Sequence, residues 1–119
     1  MSIMTTRNSD VVEQAFAAYL GQDRPAMERL LADDLRFTSP RDDRIDRAAY
    51  FERCWPTTDR LVSHVLLHVE QAGHDQVLIV YEYELKRGGT YRNAELHTVR
   101  DRQISEIQVF FGGEVRRQG

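Results

Sequence analysis

The sequence predicts an α+β domain with helices laid on one face of a curved sheet. Helical periodicity is confined to the part of the chain before Pro56. Beyond Arg60 the apolar pattern changes to the two-residue alternation of strands, with turn signals at Gly73-His74-Asp75 and Gly88-Gly89. Helices first and a run of strands afterwards is the order that packs a helical layer onto an antiparallel meander. A strongly bent sheet closed by helices makes a cone with an open mouth.

The first helix is expected to begin near Asp10, where Asp10 and Glu13 have capping-box spacing. Val11, Val12, Ala15, Phe16, Tyr19 and Leu20 form its apolar stripe, and Gly21 stops it. Asp23 caps a second helix, with Pro25 tolerated in its first turn. Met27, Leu30 and Leu31 face inward there, and the helix is expected to end at Ala32–Asp33. Leu35 to Ser39 alternates as a short strand closed by Pro40, and RDDRID after it reads as a charged loop. Asp46 caps a third helix, with Ile45 and Tyr50 placed as a hydrophobic staple. Tyr50, Phe51, Cys54 and Trp55 are its buried stripe; Pro56 ends it by pushing Trp55 out of helical geometry. Strands follow at Leu61–Ala72, Val77–Lys86, Tyr91–Arg100 and Ile104–Phe111. Residues 1 to about 8 are expected to fray and the tail after Gly112 to be mobile, which leaves one domain, 1–119, ordered over about 9–113.

The totals exclude several classes. The 119 residues suffice for one domain whose core needs no staple. Sixteen basic against 19 acidic residues, net charge −3, argues against a nucleic-acid footprint. The single cysteine, Cys54, permits no intrachain disulfide and fits a reducing cytoplasm. The start, MSIMTTRNSD, lacks the apolar core of a signal peptide, and no apolar run is long enough to span a bilayer. No glycine-rich phosphate loop is present; Gly88-Gly89 and Gly112-Gly113 read as turns.

Chemistry concentrates in YRNAELHTVR, residues 91–100. Alternation puts Tyr91, Asn93, Glu95, His97 and Val99 on one face of a straight strand, and Arg92, Ala94, Leu96, Thr98 and Arg100 on the other. An amide, a carboxylate and an imidazole on a face that closes over a core either satisfy one another or line a cavity. Histidine moves protons near neutrality and a neighbouring carboxylate sets its tautomer, so Glu95 and His97 are the candidate acid–base pair, with Asn93 orienting a ligand. Tyr19, Trp55, Tyr81, Tyr83, Phe110 and Phe111 are candidate aromatic walls, or plain core. Asp42 and Asp43 lie beside the expected mouth, where Asp42 is the better placed to act and a solvated charged loop is the simpler reading. His64 and His68 have zinc-ligand spacing only on a helix; on a strand they are about 13 Å apart and share no metal. Cys54 reads as a small buried hydrophobe.

The segments VVEQAFAAYLGQD, LLADDLRFTSP, IDRAAYFERCWP and RNAELHTVRDRQISEIQVFFG, in this order, resemble the nuclear-transport-factor-2-like superfamily and its SnoaL-like, polyketide-cyclase-like branch, over about Val11 to Gly112. The resemblance implies a cone of three helices and a curved mixed sheet, and a homodimer through the outer sheet face, to which outward Leu96 with Val80 or Tyr81 would contribute. It implies a cofactor-free ligand pocket for a small apolar organic molecule, with no metal. Of the ketosteroid-isomerase pattern on this fold, Glu95 matches the oxyanion-hole acid; Ser39 stands where the base precedes Pro40, and Ala15, not Tyr19, stands near the oxyanion-hole tyrosine. Steroid isomerisation is therefore not implied. Two readings remain: an acid–base enzyme of isomerase, cyclase, dehydratase or epoxide-hydrolase type, and a dimeric binding or scaffold protein without chemistry. The relatives' usual Asp-Gly hairpin is here Asp101-Arg102, so an adjusted turn is expected, because a left-handed Arg costs roughly 1–2 kcal/mol.

Overall fold

Aspartates set the helix starts, though not always as caps. In the computed structural model, which describes residues 7–116, Asp23 and Asp46 cap α2 (Arg24–Leu30) and α3 (Arg47–Arg53). Their carboxylates accept from the Ala26 amide at 3.2 Å and the Ala49 amide at 2.9 Å. At α1 (Asn8–Leu20) the cap is Arg7, and Asp10 lies inside the first turn. Its carboxylate accepts from the Arg7 amide at 3.0 Å, so Asp10 serves a free N–H from within the helix rather than starting it. Most of the expected frayed start, residues 1–6, lies outside the described residues; Asn8 is already helical. The left-handed residue that turns the chain out of α1 is Gln22, φ 55°, not Gly21.

α2 stops at Leu30, before the expected Ala32–Asp33, and β1 (Leu31–Ser39) begins at once rather than at Leu35. Leu31 and Leu35 are fully buried, and Leu31 pairs with Ile104; this tertiary pairing ends the helix where local pattern would extend it. The expected charged loop is largely a strand, β2 (Asp42–Ile45), which pairs Phe37 with Ile45 and Ser39 with Asp42. The free edge of β1 supplies the ladder that its charges concealed. α3 ends at Arg53, and Trp55–Arg60 continue as a 3₁₀ segment that accommodates Pro56 in its first turn.

The remaining strands are β3 (Leu61–Ala72), β4 (Gln76–Leu85), β5 (Thr90–Arg100) and β6 (Gln103–Glu114). The sheet order is β2-β1-β6-β5-β4-β3; β3 to β6 form the antiparallel meander, and β1 joins β6 in parallel, so the sheet is mixed. Val12, Leu31, Leu35, Val77, Ile79 and Ile104 are the fully buried core beneath the helices. β6 runs past the expected end at Phe111, and the Val115 amide still donates to the Thr90 carbonyl at 2.8 Å. Residues 117–119 of the expected mobile tail lie outside the described residues.

Two local corrections bear on the site. Gly112-Gly113 is a bulge in β6, not a turn: Asn93 pairs with Phe111 but Tyr91 with Glu114. A side chain at Gly112 would stand 2.3 Å from the Arg92 carbonyl, so only glycine allows this approach. The Asp101-Arg102 hairpin is not adjusted. Both residues are left-handed, at φ 51° and 63°, because the twist of the flanking strands favours that turn even without glycine.

Candidate active site

Alternation along β5 turns Asn93, Glu95 and His97 to the concave face, where Asn93 and His97 are 6% and 2% exposed. β4 presents Tyr81 opposite Asn93, Ile79 opposite Glu95 and Val77 opposite His97. α1 closes over them with Phe16, whose ring centroid lies 4.9 Å from Tyr81 and 6.0 Å from His97.

These side chains form a directed relay. Asn93 Nδ2 donates to the Tyr81 hydroxyl at 3.3 Å, and that hydroxyl donates to Glu95 Oε2 at 2.5 Å. His97 Nε2 meets Glu95 Oε1 at 2.8 Å. Asn93 is itself held by the bulge, since the Gly112 amide donates to its Oδ1 at 3.3 Å. A Glu95 carboxylate accepts on both oxygens, which places a proton on His97 Nε2 and leaves Nδ1 bare. His97 Nδ1 is buried and has no hydrogen-bond partner.

The relay stands in the wall of a cavity of about 1090 Å³. Asn93, Glu95, His97, Tyr19, Ser39, Asp42, Tyr81 and Phe111 all line it. Trp55 does not; the 3₁₀ segment turns it onto the edges of Tyr19 and Phe51. Phe110, another candidate wall, pairs with Ala94 on the convex face and is 52% exposed. Asp42 is no solvated loop residue. Its side chain is 11% exposed, paired with Arg53 at 2.7 Å, and accepts from the Ser39 hydroxyl at 3.2 Å. Its partner lies on α3, not at neighbouring Arg41 or Arg44, which only the fold could reveal.

Other lining residues were less visible in the chain. Phe16 read only as helix stripe, and His64 as a strand-face residue. A bulge at Leu67 sends His64 inward, opposite Tyr83, and His68 outward, opposite Val80. No alternation count reveals that bulge. Among the described residues, no three His, Cys, Asp or Glu side chains converge to hold a metal ion.

Burial dominates the electrostatics. It pushes the Tyr19 hydroxyl up to about 12, opposed in part by the hydrogen bond with Thr57. Tyr81 is raised well above the tyrosine range by burial and then by the Glu95 charge, so it acts as a donor, not a base. Burial also pushes the Cys54 thiol up to about 11, with nearby Asp42 adding to the effect, which leaves it un-ionised and a poor nucleophile.

No protein-family model matches the sequence. The curated proteins likewise contain no match. Solved structures do match. A protein of Kribbella flavida superposes with TM-score 0.77 at 25% identity, over 86% of this chain and 84% of that one. A nuclear-transport-factor-2-like protein of unknown function from Cytophaga hutchinsonii gives TM-score 0.75 at 18% identity, over 92% and 94%. The chain has the nuclear-transport-factor-2-like fold. An M. tuberculosis LEH-like epoxide hydrolase is also similar, with TM-score 0.70 at 19% identity over 87% and 81%. The nuclear-transport-factor-2-like cone accounts for the parallel β1–β6 pairing that makes the sheet mixed.

Proposed function

We propose that this chain is a SnoaL-like, cofactor-independent acid–base enzyme acting on a largely apolar organic molecule. The observation that carries this reading is the Glu95–His97 pair, joined at 2.8 Å, among the residues that line a large cavity. In the proposed step the Glu95–His97 pair takes a proton from the ligand, and the hydrogen bond at His97 Nε2 shares the resulting charge between the two groups. Tyr81 and Asn93 hold Glu95 in place, and His97 returns the proton to the rearranged product. Isomerisation and ring closure use this step as it stands; in dehydration the proton leaves with the departing hydroxide as water, and in epoxide opening it comes from an attacking water and goes to the ring oxygen. The similar epoxide-hydrolase-like structure supports this range without choosing within it.

The convex sheet face is proposed to form a homodimer. Leu78, Phe110 and Val65 are 38%, 52% and 57% exposed there, with Val80 and Leu96 among them and, among the described residues, no helix over them. The lone Cys54 supports a cytoplasmic setting.

Mass spectrometry of molecules that co-purify with the protein supplies the first candidate substrates. Turnover of such a molecule should fall by about 10²–10⁴ in kcat/KM in His97→Gln. Tight binding without turnover in the wild type, unaltered by His97→Gln, would instead establish a binding protein of the same fold.

A further inference from the structure

The cavity mouth carries an excess of positive charge that the acid–base relay does not use. The end of β1, the start of β3, the β4–β5 turn and the end of β6 all lie at one end of the sheet. From them Arg41, Arg60, Lys86 and Arg87 line the cavity while remaining exposed. None of these four makes an ion pair among the described residues, whereas Arg53, which also lines the cavity, is paired with Asp42. Asp59 is the one lining carboxylate left without such a partner. The clustering runs against the overall balance, since the chain as a whole has net charge −3.

The Lys86 amide donates to the Arg60 carbonyl at 2.8 Å, which joins the backbones that carry two of the cations. Arg41 sits over the Phe111 ring, 5.9 Å from its centroid. Burial raises the Tyr83 hydroxyl above its ordinary value, and the Arg41 and Arg87 charges act against that rise. Below this ring the walls are aromatic: Phe16, Tyr81 and Phe37. Guanidinium groups above apolar walls match an anionic oxygen group attached to an apolar body.

We infer that the cavity selects amphiphilic organic anions: the apolar, ring-sized body enters toward His97, and a carboxylate or phosphate stays at the mouth against Arg41, Arg87 and Lys86. This deepens the proposed function by naming a substrate class. It rests on the cavity being a ligand site and not on turnover.

Binding of matched probes tests it, by calorimetry at low salt. 2-Naphthoate and 2-naphthyl phosphate are compared with neutral 2-naphthamide, against the wild type, Arg41→Gln/Arg87→Gln and Lys86→Gln/Arg87→Gln. At least one anion should bind about tenfold or more tighter than the amide, the affinity difference of a single charge-assisted hydrogen bond; which anion wins identifies the group. That preference should shrink in raised salt and approach parity in both double variants, with amide affinity unchanged. All three exposed side chains lie outside the core, so the variants keep the fold. Equal binding of amide and anions would overturn the inference while leaving the cavity reading intact. An amide that loses affinity as much as the anions in both variants would also overturn it, by making the arginines mere walls. Failure of all three probes would overturn both readings.

Discussion

The two faces of β5 invert the usual arrangement. Inside, under the helices, the strand presents Asn93, Glu95 and His97; outside, toward solvent, it presents Ala94 and Leu96. A half-buried antiparallel strand ordinarily does the reverse. The concave face keeps its polar groups because a cavity and the Tyr81 hydroxyl receive them. The convex face keeps its apolar groups with no layer of the described residues to cover them. The same alternation thus gives one face that lines a cavity and another that leaves apolar side chains exposed.

Adjacent residues of β4 separate the two faces most sharply. Ile79 is fully buried on the concave side and Leu78 is 38% exposed on the convex side. Ile79→Ala should cost about 2–5 kcal/mol in urea denaturation, and Leu78→Ala at concentrations too low for association about 0.5 kcal/mol or less. Similar losses would show that the faces are not distinct. Next in size is a charge on the convex face. Phe110→Glu, which would put like charges on the face proposed to dimerise, should weaken dimerisation on the order of 100-fold by light scattering and leave ligand binding in the cavity unchanged. A wild-type monomer at high concentration would remove the dimer from the proposal.

On the concave face Tyr81→Phe deletes the donor to Glu95 and the acceptor for Asn93. It should destabilise by about 1–3 kcal/mol; no loss would mean that the relay is slack. The hairpin behind both faces offers a change of opposite sign. Arg102→Gly relieves a left-handed arginine and should stabilise by about 1 kcal/mol without altering the cavity.

The smallest effects near neutrality come from pH. The raised Tyr19 and Tyr81 hydroxyls contribute stability that is fully present below the unfolded tyrosine value, about 10, and lost as pH rises through the folded values, about 12 for Tyr19. His64 acts at the other end. Burial lowers it, so the unfolded chain binds its proton first, and stability falls as pH drops below about 6.5. Urea titrations at pH 5, 7 and 10.5 should show the maximum at the middle value, and His64→Gln should flatten the acid limb alone.

Much of this was legible in the chain because it is local. Period, caps at Asp23 and Asp46, and the Asn93-Glu95-His97 alternation depend on neighbours in sequence, and they sufficed for the α+β class and the facing of β5. What tertiary structure decided is what distant strands impose on one another. The β1–β6 pairing cut α2 short, the β1 edge drew residues 42–45 into a strand, and bulges at Leu67 and Gly112-Gly113 reset which side chains meet. Asp42 against Arg53, Trp55 outside the cavity, Phe110 outside the cone and the ring of cations at the mouth all follow from those pairings. Alternation says which residues share a face, but the bulges and crossings that bring faces together are set by contacts between residues far apart in the chain.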